Sequence, residues 1–249
     1  MAVSARGKGW VRVSIDARDA SATGPAKSRQ QAALMAEQIA RELEEDIAIG
    51  LLHPRERLVE DSLMDRFDVK RHVVRSALAT LETRGAVERR ANVGALVRSF
   101  TAQDVRDLYD VRELLESACA RAIVEPVSTA DLQPVEHALH AHEDAVERRD
   151  RRAALRANLA FHDALYNLSP NRILVEAVRR HARMASPIRS ITVVNDHFLL
   201  RARDEHRAMV QALRDGDTEE LVKVCAQHLQ PSRDAYLNLL GVQNQPLGQ

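Results

Sequence analysis

The stretch from residue 60 to residue 97 changes its apolar period twice, and few folds accept that order. "EDSLMDRF" (60–67) reads as a short helix, "DV" as a turn, and "KRHVVRSALATLETRG" as a longer helix closed by Gly85. Val74, Ala77, Leu78 and Leu81 share one face of the second helix, while Arg71 and Arg75 project together from another. Beyond Gly85 the period shortens. "AVERR" and "GALV" read as two short strands joined by "ANVG", with Gly94 supplying the turn geometry. Upstream, a helical pattern starts near residue 30, sets Ile39, Leu43 and Ile47 on one face and stops at Gly50.

A helix, a helix–turn–helix and a β-wing, in that order, make a winged helix-turn-helix. Charge agrees with a reader of nucleic acid. Whole-chain net charge is zero, which excludes a generic polycation, yet residues 66–98 hold eight Lys or Arg against three acids, and residues 37–65 before them are acid-rich. A local basic face beside an acidic one orients a protein on a duplex.

From residue 101 onward the pattern is helical throughout. Thr101 with Asp104 makes a capping-box start, and "STAD" (128–131) caps a second helix. "RRDRR" (148–152) reads as a charged loop, and helices follow at about 153–168, 171–194 with a break near Pro187, 198–214 and 217–240. Six helices predict an antiparallel bundle. The fold class is therefore mainly α: an N-terminal winged helix-turn-helix (29–99) and a C-terminal six-helix bundle (100–240), between flexible tails at 1–28 and 241–249. "WVRVSI" (10–15) is the one tail segment with enough alternation for a short strand. No apolar run approaches the ~18–20 residues that span a bilayer, and the N-terminus lacks a secretory apolar block, so a soluble, cytoplasmic protein is expected. Cys119 and Cys225 lie on apolar helical faces without CxxC spacing and read as core fillers.

Polar residues interrupt those apolar faces. His162 shares a stripe with Leu155, Leu159 and Tyr166, with Asn158 one turn before it. His206 and His228 point inward from two other helices, and His142 and His181 also fall on apolar stripes. Spacing alone does not separate a metal ligand from a neutral core histidine among these five. Arg112 breaks the stripe of Val105, Leu108, Leu115 and Cys119. Glu116, one turn on, can form a structural pair with it; an anionic ligand is the other partner a buried arginine accepts.

"IGLLHPRERLVEDSLMDRFDVKRHVVRSALATLETRGAVERRANVGALV" resembles the DNA-binding domain of GntR-type bacterial transcription regulators over about fifty residues. Leu58, Glu60, Leu63, Val69, Arg71, Val74, Arg75, Ala77, Leu78, Leu81 and Gly85 fall in step with that family's pattern. The resemblance implies double-stranded operator DNA as a partner, contacted by Lys70, Arg71, His72 and Arg75 and, in the wing, by Asn92 and Gly94. There are departures. The glycine after Pro54 is Arg55, the serine that caps the recognition helix is Lys70, the glutamate after the second arginine is Ser76, and the basic residue before Gly94 is Val93. Lys cannot cap, so Asp68 is expected to take over by starting the helix earlier. Lys70 then adds a phosphate contact.

"DLYDVRELLE", "NLAFHDALY…SPN" and "DEHRAMVQALRDGD…AQHL" resemble the FCD ligand-binding domain of the FadR-like branch, in the shorter, six-helix VanR-like variant. The resemblance implies a divalent metal, Zn²⁺ or Ni²⁺, on Asn158, His162, His206 and His228, with Asn158 replacing the commoner Asp and removing one negative charge. It also turns Arg112 toward a small carboxylate effector. A ligand-responsive homodimeric repressor or activator follows. The rival is a metal-dependent hydrolase or oxidase on the same bundle, although a di-iron enzyme wants Glu-x-x-His pairs and none of the ten histidines has a Glu three residues before it.

Overall fold

A computed structural model describes residues 25–241, with side chains from residue 28. The strand considered at 10–15 and most of both expected tails lie outside these residues. The first helix, α1 (Pro25–Ala48), begins about five residues earlier than its apolar period suggests and buries Ile39, Leu43 and Ile47 completely. β1 (Arg57–Leu58), α2 (Glu60–Phe67), α3 (Arg71–Thr83), β2 (Val87–Arg90) and β3 (Gly94–Val97) complete the N-terminal half. The three strands form an antiparallel sheet in the order β1-β3-β2, with Arg57 opposite Leu96 and Val87 opposite Val97. β1 has no sequence signal because two residues carry no period.

The expected cap at Asp68 is wrong. Asp68 is the left-handed C-cap of α2 (φ 51°), its N–H bonded to the Met64 carbonyl, and α3 starts after an extended Lys70 that makes no side-chain cap. One residue cannot both end α2 in the left-handed region and enter α3. A second departure has a visible cost. Arg55, standing where the resembled pattern has glycine, sits at φ 67°, a conformation that L side chains disfavour.

The C-terminal half is α4 (Ala102–Arg121), α5 (Thr129–Glu147), α6 (Arg151–Asn167), α7 (Arg172–Met184), α8 (Ser186–Val193), α9 (Asp196–Asp215) and α10 (Thr218–Leu239). Thr101 and Asp104 form the expected capping box at the head of α4. Seven helices stand in the described bundle, not six. The break expected near Pro187 is a full separation, because Ala185 ends α7 at ψ 0° and Pro187, in the first turn of α8, has no N–H to extend the α7 ladder. The shorter six-helix variant is corrected accordingly. "RRDRR" is also shorter as a loop than expected: Asp150 caps α6, and Arg151 and Arg152 are already helical.

The halves are packed together. Ala48, Leu155 and Val193 form one small apolar cluster across α1, α6 and α8. Gly85, at φ 78°, ends the α3 turn where an added Cβ would stand 3.0 Å from Met184 of α7, so this position needs glycine for conformation and for close approach. No helix among the described residues is long and apolar enough to cross a membrane. Cys119 and Cys225 are buried and free.

Candidate functional site

α6, α9 and α10 bring His162, His206 and His228 together, with one candidate ligand atom from each within 4.8 Å of the others. His162 Nε2 lies 3.0 Å from His228 Nε2. A tetrahedral ion with nitrogen ligands holds them about 3.3 Å apart, and the His162–His228 pair is near that spacing. His206 is fully buried, stacked on Phe161 with ring centroids 4.1 Å apart, and neither of its ring nitrogens has a hydrogen-bond partner. His162 Nδ1 is likewise buried and unpaired. Burial, then the neighbouring His228, pushes both His162 and His206 well below the usual imidazole pKa, which keeps them in the neutral form that binds metal.

His228 is oriented from outside the cluster. Its Nδ1–H donates to Glu205 Oε2 at 2.7 Å, which turns Nε2 inward toward His162. Burial raises the Glu205 pKa, but the hydrogen bond and charge of His228, with Arg201, bring it below the ordinary value. Sequence reading missed Glu205, since a carboxylate beside His206 on α9 carries no signal for reaching α10. Asn158 lines the same cavity as His162 and His228. The other two inward histidines do not join the group of candidate ligand atoms, although His142 lines the same cavity. His181 turns back on its own helix, Nδ1 2.8 Å from the Ala177 carbonyl. His142 is buried with its ring centroid 4.7 Å from that of His206.

The cavity has a volume of about 830 Å³, ample for a small organic ligand, and also takes in Arg112 and Arg189. Arg112 is buried, and donates through Nε (3.0 Å) and Nη2 (2.9 Å) to Glu116 Oε1, while the Tyr166 hydroxyl donates to Glu116 Oε2 at 2.7 Å. The structural pair exists, and the same arginine faces the cavity. Arg189 was not singled out from the sequence; its signal is a lone cation within the apolar "SPIRSITV". Glu44 of α1 and Arg84 beyond α3 are also wall residues, so the cavity touches both halves of the chain.

At the other end of the molecule, Lys70, Arg71, His72, Arg75, Asn92 and Gly94 are all exposed. Arg71 and the wing residues Asn92 and Gly94 line one surface cleft. Arg75 donates to both oxygens of Glu60 (3.1 and 3.0 Å), and Arg71 pairs with Asp61. These are surface pairs that an incoming phosphate or base edge can exchange at small cost.

Residues 107–231 match the FCD domain family, and residues 35–97 match the bacterial regulatory proteins of the gntR family. The chain belongs to the GntR family of transcription regulators and carries an FCD ligand-binding domain. This GntR regulator is 26% identical over 197 residues to the HTH-type transcriptional repressor RspR of Escherichia coli K12, covering 78% of this chain and 85% of the relative. A putative GntR regulator from Rhodococcus sp. RHA1 superposes with a TM-score of 0.68 at 26% identity, over 84% of this chain and 99% of that one. E. coli McbR/YncC has the same fold, with a TM-score of 0.72 at 21% identity over 83% and 98% of the two chains. Its winged domain is thus a DNA-binding domain, and the FCD bundle with its histidine triad is the ligand-binding half.

Proposed function

We propose that this GntR regulator is a homodimeric repressor, released from its operator by a small organic acid bound beside a divalent ion, zinc or nickel. His162, His206 and His228 hold the ion, with Asn158 as a weak fourth ligand. One observation carries this reading: three imidazoles from three helices converge beside a cavity lined by His162 and His228, and the buried His206 has both ring nitrogens unpaired. A buried polar group without a partner is costly, and an ion removes that cost at one ring nitrogen of His206. When bound, the ion supplies a Lewis-acidic position for one carboxylate oxygen.

The chain's own residues do the rest. Glu205 holds the His228 proton on Nδ1. Arg112, kept in place by Glu116, offers its remaining Nη1 to a second ligand oxygen, so the acid is oriented as well as attracted. Because Glu44 and Arg84 share the cavity wall, a ligand there has different contacts in different arrangements of the two halves, and that difference is the source of control over DNA binding. The name of RspR, a repressor, favours repression.

The test is metal analysis of protein purified without a nickel column, before and after refilling with zinc. One ion per chain that disappears in His206→Ala is the expected result. Far less than one ion in both native and refilled samples would make these histidines core residues. Operator titration with and without added organic acids then tests release.

A further inference from the structure

We propose that Arg189 is a second anion anchor in the same cavity, and that the effector is a dicarboxylate gripped by Arg112 at one end and Arg189 at the other. This rests on the reading of the cavity as the effector site. Arg189, on α8, is only 9% exposed, yet its guanidinium makes one side-chain hydrogen bond, from Nη2 to Ser186 Oγ at 3.2 Å, and its Nε is buried with no partner. A guanidinium carries five donors, and no carboxylate among the described residues forms an ion pair with this one.

The two carboxylates whose charge reaches Arg189, Glu116 and Glu44, make no hydrogen bond to it. Glu116 accepts from Arg112 on one oxygen and from Tyr166 on the other. Glu44 Oε2 is held by Arg84 at 3.1 Å, and Glu44 Oε1 is buried without a hydrogen bond to Arg189 or to any other group among the described residues. Among the described arginines that line the cavity, Arg189 is therefore the one without an ion-paired carboxylate, whereas Arg112 has a counter-ion and only completes its hydrogen bonding with a ligand. Burial first, then the like charge of Arg112, lowers the Arg189 pKa to about 10, so the two guanidiniums are close enough to repel.

An anion between two such groups relieves the repulsion and the unpaired charge together. A monocarboxylate occupies one fork and leaves the other guanidinium dehydrated; a dicarboxylate fills both. Thr192 and Ser232, which line the cavity with hydroxyls 3.4 Å apart, give a hydroxylated carbon chain further partners. The position differs from a structural arginine in this: removing its charge relieves an unpaired group instead of breaking a pair.

Calorimetric titration of the full-length, metal-loaded protein with matched acids is the test: succinate against butyrate, glutarate against valerate, malate against 3-hydroxybutyrate. Wild type is expected to prefer the diacid of at least one pair by about ten-fold or more, a difference that one extra ion pair can supply. Arg189→Gln should bind diacid and monoacid equally, with monoacid affinity unchanged, and Arg189→Lys should keep part of the preference. Arg189→Met should raise the ligand-free melting temperature. An equal preference in Arg189→Gln and wild type, or a lowered melting temperature in Arg189→Met, overturns the role of Arg189. If Arg112→Ala weakens monoacid binding while Arg189→Gln changes nothing, only this proposal fails. If wild type binds no acid of either class, or Arg112→Ala weakens neither class, the effector-site reading fails with it.

Discussion

Asp46 of α1 accepts a hydrogen bond from Arg152 of α6 at 2.6 Å, linking the winged domain to the helix that carries Asn158 and His162. The carboxylate is fully buried, and its other oxygen lies 2.7 Å from Arg66 of α2. One side chain thus joins the first helix of the helix–turn–helix to the ligand-binding bundle. Glu45, next in sequence, adds bonds to Arg152 (2.8 Å) and Arg156 (2.7 Å).

Arg152→Ala removes the bundle's arm of this link and spares the Asp46–Arg66 pair. Operator affinity without effector should change little, while the shift in affinity produced by a bound acid should shrink. Asp46→Ala is harsher, since it leaves a buried Arg66 charge without this partner, and should cost about 3–5 kcal/mol in denaturant unfolding. An undiminished effector response in Arg152→Ala would show that coupling runs elsewhere.

Acid should weaken the bundle through its buried histidines. Burial, then the charge of His228, lowers the His142 pKa to about 4, against an ordinary value near 6.5. The unfolded chain takes up the proton first, so stability is full above about pH 6.5 and declines as pH falls toward 4. From pH 7.5 to pH 5 this one group accounts for about 2 kcal/mol. Urea titrations at the two pH values should show a smaller loss for His142→Gln than for wild type; equal losses would remove His142 from the acid limb.

Arg71→Ala and Arg75→Ala should each weaken specific operator binding by about 1–3 kcal/mol without loss of fold. Both residues are exposed on α3, and alanine favours the helix. Gel shifts on the DNA flanking the regulator's own gene, paired with circular dichroism, measure the two effects separately. Unchanged affinity in both variants would mean that α3 does not read DNA.

Arg55→Gly should stabilise the winged domain by about 1 kcal/mol, because glycine adopts the φ of 67° without the Cβ clash that arginine carries there. The gain is reduced by the lost Arg55 Nε to Ser99 Oγ bond of 3.2 Å, which is exposed and weak. Thermal unfolding decides the sign.

Local chemistry made the winged domain legible. The buried face of α3, the stop at Gly85 and the turn at Gly94 each act within a few residues, and so does the Arg112–Glu116 pair at one helical turn. Helical spacing also aimed five histidines inward. Spacing did not choose among them; the family resemblance pointed to His162, His206 and His228, and the tertiary structure brings those three together through the crossing of α6, α9 and α10. β1, too, exists only as a partner for β3, whereas Pro187 marked the α7–α8 break locally and the structure showed it to be a full separation. Asp46 and Arg152 lie 106 residues apart. Sequence can mark each of them as charged, but pairing them is a property of packing, which brings α6 against the buried Asp46 of α1.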